Sequence, residues 1–210
     1  LLVSSVLPTS TTFYRGLQDK GLPIVAIDRA MDDEFFASVI SEDMQGAMRL
    51  TDSLLINEPQ SIGLIGAVPD IAISRQRELG FRKAIGFSTP HLVPKIQYGD
   101  HFSREAGAKI CAEWIAEGQL PQAILTTSYV LLEGVLDVLV QNPELLAVTQ
   151  LATFGDNRLL DFLPIRVNAL PQQFPLIAEK ALALTLSAIN HQYKAGIHVV
   201  PRVLKVRAEN

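Results

Sequence analysis

The apolar run PIVAI stops at residue 27 against two adjacent opposite charges, Asp28 and Arg29. The pattern of an apolar run closing on polar groups recurs along the chain. LLVSS ends in Ser4-Ser5, and IGLIG at 62–66 runs into GAVPD and then Ser74-Arg75-Gln76-Arg77. QAILTT at 122–127 leads to Ser128, and TQLATF at 149–154 leads to Gly155-Asp156-Asn157. Carboxylates accept hydrogen bonds from neighbouring hydroxyls, whereas an arginine fork fits phosphate oxygens. A set containing both suits a ligand with hydroxyls at one end and a phosphate at the other. Each residue alone has a plainer reading. Asp28 and Arg29 can be a local ion pair or a turn, Arg75 and Arg77 a solvated helix face, Ser128 a helix cap and Asp156 a turn residue. The functional reading depends on their convergence on one rim.

The elements that must position them follow from hydrophobic periodicity. Short apolar runs predict strands at 1–5, 23–28, 38–41, 62–66, 93–98, 122–127, 149–154, 165–170 and 199–206. Several are continuously apolar, as strands covered on both faces are. Helical spacing predicts helices over 42–56, 103–117, 128–141 and 173–191. The first carries Glu42 and Asp43 in its opening turn, where the helix dipole favours acids. The second opens on Ser103 as an N-cap, and the third follows the capping sequence TTS. Strand-helix alternation with short loops implies parallel sheets flanked by helices, an α/β chain. In such sheets ligands bind beyond the carboxyl ends of the strands, where the polar clusters fall.

Other chemistries find little support. The sequence holds no G-x-S-x-G, H-E-x-x-H, P-loop or G-x-G-x-x-G pattern, and its four histidines lack metal-ligand spacing. Cys111, the lone cysteine, lies between Ile110 and Ala112 on a helix and reads as packing; it also fits a reducing compartment. The net charge of −4 and the scattered Lys and Arg argue against non-specific nucleic-acid binding by this segment. Apolar residues at 48% and charged ones at 19% describe a globular chain. No apolar run approaches the roughly 18 residues of a membrane span. The opening LLVSSVLPTS carries neither an initiator Met nor a leader pattern and is expected to lie within a longer protein.

The ordered stretches PIVAIDR, SVISEDMQGAMRL, IGLIGAVPDIAISRQRELGFRKAI, PQAILTTSYVLLEGVLDVL, LATFGDN and RVNALPQQFPLIAEKAL resemble the effector-binding core of the lactose-repressor family of bacterial transcription regulators, and its fructose-repressor branch in particular. That resemblance implies a periplasmic-binding-protein type 1 fold: two parallel-sheet lobes with crossover strands and the effector in the cleft. It implies an N-terminal lobe from 1–40 plus 172–196, truncated at its start, and a C-terminal lobe from 41–171 plus 197–210. The family's DNA-binding headpiece and first βαβ unit find no match in the sequence, so this chain alone is expected to be less stable and to bind effector weakly. By the same resemblance the effector contacts fall on Asp28, Arg29, Arg77, Ser128, Asp156, Gln172 and Arg202. Ser128 stands where the family commonly has Asn, which separates the chain from ordinary sugar repressors. Asp28 is then expected to hold sugar hydroxyls while Arg29, Arg77 and Arg202 surround a phosphate. The implied effector is fructose 1-phosphate, with fructose 1,6-bisphosphate weaker. Binding would loosen a cytoplasmic homodimer or tetramer from operator DNA held through the headpiece, with no cofactor, metal, membrane or catalysis involved. A free-standing periplasmic sugar-binding protein and a Rossmann-type enzyme are the rival readings. The first needs a leader and the second a glycine-rich first turn, and Ser4-Ser5-Val6-Leu7-Pro8 is neither.

Overall fold

A computed structural model describes residues 2–3, 11–31 and 34–207. In chain order the elements are β1 (Leu2–Val3), α1 (Thr11–Gln18), β2 (Val25–Ile27), β3 (Ala37–Ser41), α2 (Met44–Leu55), β4 (Ile62–Ala67) and α3 (Ala72–Ser88). Then come β5 (Lys95–Gly99), α4 (Arg104–Ala116), β6 (Ala123–Thr126), α5 (Tyr129–Leu139), α6 (Pro143–Val148), β7 (Gln150–Phe154), a 3-10 turn (Arg158–Phe162), β8 (Val167–Leu170), α7 (Phe174–Ile189) and β9 (Gly196–Val200). Of the expected strand 1–5, Leu2–Val3 is described; Leu1, Ser4 and Ser5 lie outside the described residues.

The chain divides into two compact units, residues 1–42 with 172–202 and residues 43–171 with 203–210, so it passes from one to the other three times. In the first unit the sheet order is β1-β2-β3-β9, every pair parallel, with Val25 opposite Ala37 and Ala37 opposite Gly196. Val25, Val39 and Val200 pack with Ile177 and Ala181 of α7. The expected division placed 197–210 in the second lobe. The chain instead keeps β9 and Arg202 in the first unit and leaves it at 202–203. The cause lies in the sequence: Pro201 has no N–H to donate, so the ladder cannot run on through VVPRVLKV.

The second unit's sheet has the order β5-β4-β6-β7-β8, again all parallel. Its central strands β4, β6 and β7 are buried almost throughout because both of their faces are covered. Leu64, Leu125 and Phe154 face α2 and α3, while Ile65, Ile124 and Leu151 face α4 and α5. Burial of each such side chain contributes on the order of 2 kcal/mol. Helix α4 starts where expected, with Ser103 Oγ accepting from Ala106 N at 3.1 Å. Two parallel α/β units joined by repeated passages of the chain make a periplasmic-binding-protein type 1 fold.

Candidate functional site

In the first unit the polar groups gather at the carboxyl edge of the sheet. Asp28 follows β2 with φ of +71°, a left-handed conformation that Asp tolerates better than most residues. Its own N–H donates to Val39 O at 2.9 Å, so the turn is anchored to β3 while the side chain leaves the strand. Gln172 Nε2 donates to Asp28 Oδ1 at 2.8 Å and lies 3.3 Å from Ser41 Oγ at the end of β3. Arg29 is half-buried beside Asp28. Arg202, two residues beyond β9, is only 4% exposed. The local ion-pair reading of Asp28 thus gives way to a hydrogen bond from Gln172, a residue far away in sequence.

In the second unit the same rule holds at the ends of β4, β6 and β7, which are neighbours in the sheet. Arg77, on α3 after β4, is 6% exposed, so the solvated-face reading fails. Its Nε donates to Asp43 Oδ1 at 2.8 Å, and Nη2 stands 2.8 Å from the same oxygen. Nη1 donates to Thr127 O, and the guanidinium lies over the Phe154 ring at 4.1 Å. Ser128 occupies the N-cap position of α5, but its hydroxyl makes no capping hydrogen bond and is buried without a partner, as is Thr127 Oγ1. Gly155 has φ of +88°, and a Cβ there would meet Tyr129 Cβ at 3.0 Å, so glycine lets the turn after β7 close onto the start of α5.

Asp156 is anchored by groups that the sequence reading did not single out. Arg207 Nη2 is 2.6 Å from Asp156 Oδ1 and Lys205 Nζ is 3.3 Å from Oδ2. Both cations also reach Asp161 Oδ1, at 2.9 and 2.8 Å. Lys205 is brought there by backbone bonds in both directions with Ala169 on β8. The hydrogen bond from Lys205 holds the Asp161 carboxyl below its ordinary value, and Asp161 in turn holds the Lys205 ammonium above its own. The alternating K-V-R at 205–207 was the available signal. Asp43, expected as a first-turn dipole residue, is instead the partner of Arg77. Among the described residues no group of His, Cys, Asp and Glu has metal-binding geometry, and no helix is long and apolar enough to cross a membrane.

No protein-family model matches the chain. Curated proteins and solved structures do. The chain belongs to the lactose-repressor family of transcription regulators, whose solved members it matches over nearly its whole length. Within the family it groups with fructose regulators. It is 54% identical over 207 residues to the fructose operon regulatory protein of Vibrio cholerae and 37% identical over 195 residues to the catabolite repressor/activator of Escherichia coli. These matches take in 99% and 92% of this chain but 63% and 58% of those proteins, so the chain spans about three fifths of their length. The Cra transcriptional dual regulator of Pseudomonas putida, solved in complex with fructose 1-phosphate, is 46% identical with a TM-score of 0.89, covering 100% of this chain and 77% of that one. A dimeric lac repressor at 18% identity and a TM-score of 0.76, covering 92% of this chain and 70% of that one, shares the fold.

Proposed function

We propose that this chain is the effector-sensing core of a cytoplasmic transcription regulator, that its effector is a phosphorylated ketohexose, and that effector binding lowers the affinity of the intact homo-oligomer for operator DNA. Fructose 1-phosphate is the leading candidate, with fructose 1,6-bisphosphate weaker. The Pseudomonas putida relative bound to fructose 1-phosphate supports the ligand, and the regulators of Vibrio cholerae and Escherichia coli support the role over that of a free-standing sugar-binding protein. The chain performs no covalent step. The ligand works by preferring one arrangement of the protein while DNA prefers the other, so each weakens binding of its competitor.

The observation that carries the phosphate assignment is Arg202, a permanently charged group kept 4% exposed on the sheet edge that also bears Arg29. Three arginines were expected around the phosphate. Arg77 is a poor third, because the carboxylate of Asp43 already offsets its charge. Arg29 and Arg202, which follow β2 and β9 at the carboxyl edge of one sheet, are assigned the phosphate on their placement. The groups suited to sugar hydroxyls are Asp28 and Gln172 in the first unit and, in the second, Arg77, Ser128 and Asp156, where unpartnered or partly engaged donors and acceptors are offered. Fluorescence anisotropy of the full-length protein on its operator tests this reading. Added fructose 1-phosphate releases the DNA and fructose at equal concentration does not; release by neither removes the effector assignment.

A further inference from the structure

Asp43 stands at the N-cap of α2, directly after the chain first enters the second unit. An Asp in that position ordinarily turns its carboxylate back onto the free N–H groups of the first helical turn. Asp43 does not: it makes no side-chain cap hydrogen bond, and its own backbone is already helical, at φ −97° and ψ −47°. The carboxylate, 14% exposed, is directed to Nε and Nη2 of Arg77, both at 2.8 Å. Arg77 is thereby fixed on a third side, since Thr127 O accepts from Nη1 and the Phe154 ring lies beneath the guanidinium plane. Thr127 precedes Ser128, and Phe154 lies two residues before Asp156. One acid thus sets where Arg77 sits relative to both neighbouring strand ends. It also offsets the charge of Arg77, because a buried guanidinium and a largely shielded carboxylate in contact act together as a nearly neutral pair.

We propose that Asp43 is a positioning residue of the effector site, holding Arg77 in register with Ser128 and Asp156 and making it a neutral reader of hydroxyls instead of a counter-ion for phosphate. The inference rests on the effector reading given above. It explains why the carboxylate is withheld from the helix terminus, where an acid would otherwise serve α2.

Calorimetry of the full-length protein with fructose 1-phosphate at low and high salt tests it, on wild type, Asp43→Asn, Asp43→Ala and Asp43→Glu, with thermal melting as the fold control. Asp43→Asn keeps an acceptor oxygen but unmasks the Arg77 charge. The loss of affinity between the two salt concentrations then grows at least threefold over wild type. Asp43→Ala releases Arg77 and weakens binding at least tenfold, and Asp43→Glu restores affinity to within about threefold with the wild-type salt response. A purely structural role would lower the melting temperature and leave the salt response alone. Wild-type affinity and salt dependence in Asp43→Asn overturn the inference, and that variant decides the matter if Asp43→Ala does not fold. If the wild-type protein itself gives no binding heat, the effector reading has failed. The positioning role is then judged from the Arg77 Nε–H nuclear magnetic resonance signal. A signal kept in Asp43→Asn and lost in Asp43→Ala supports positioning, and one unchanged in both overturns it.

Discussion

Helices α4 and α5 meet through glycine, and the size of that contact sets a quantitative expectation for Gly134→Ala. A Cβ at Gly134 would lie 1.8 Å from Arg104 O and 2.5 Å from Ala108 N, both backbone atoms of α4. Gly107 makes the reciprocal approach, its Cβ position 2.1 Å from Leu131 O. Ordinary contact begins at 3.4 Å, so the helices must part by about 1.6 Å, and no side chain can swing aside to supply the space. Overpacking of this kind costs roughly 1–3 kcal/mol, and rigid backbone on both sides places it at the upper end. The better helix propensity of Ala returns up to about 1 kcal/mol. The net loss is about 2 kcal/mol, which for a chain of this length lowers the melting temperature by about 4–8 °C. Gly86 on α3 provides the control, because a Cβ there meets nothing within 4 Å and Gly86→Ala should melt at or slightly above wild type. Melting followed by circular dichroism on both variants is the assay. The packing argument is refuted if Gly134→Ala melts within about 1 °C of wild type while Gly86→Ala behaves as expected. Because α5 begins directly after Ser128, the same variant should also weaken effector binding.

Cys111 is fully buried, and burial pushes its thiol up to about 12, so a thiol-reactive dye should leave the native protein unlabelled at pH 7.5 and label it once unfolded; rapid stoichiometric labelling of the native state would contradict this. Asp161, held below its ordinary 3.8 mainly by the hydrogen bond from Lys205, stabilises the fold fully above that value and loses the contribution as pH falls through its lowered folded value. The melting-temperature gap between wild type and Asp161→Asn should therefore close on acidification below about pH 4, and a gap that widens there would reverse the sign of the argument. Arg207→Met removes the closer of the two cations on Asp156 and should weaken effector binding more than Lys205→Met, whose nitrogen stands farther away; the opposite order in calorimetry would discount the 2.6 Å contact.

The parts of the fold visible in the sequence were those where burial on both faces leaves a continuous apolar run. IGLIG at 62–66 and QAILTT at 122–127 became β4 and β6 with shifts of a residue or two. Helix α1 lies outside the expected elements: TTFYRGLQ is only eight residues long and buries none of them. Helix α6 lies outside the expected elements: the expected helix stops at 141, and Pro143 opens a new one at its first turn, where it has no hydrogen bond to lose. For the candidate site, the carboxyl-edge rule located Asp28, Ser128 and Asp156, since strand ends can be read locally. Their partners could not be. Gln172 reaches Asp28 across 144 residues, and Arg207 reaches Asp156 across 51, distances that only the sheet order closes. The misreading of Asp43 has the same origin. An acid at a helix start has a sufficient local explanation, and only the placement of Arg77 shows that the carboxylate is used elsewhere.

The most direct test of the effector reading is a paired calorimetric titration of the full-length protein with fructose 1-phosphate and with fructose, repeated on Arg202→Met and Arg77→Met. The account predicts that wild type binds the phosphorylated sugar at least tenfold more tightly, that Arg202→Met removes most of that preference, and that Arg77→Met weakens both ligands alike. Equal wild-type affinity for the two sugars, or a phosphate preference that survives in Arg202→Met and vanishes in Arg77→Met, would contradict it.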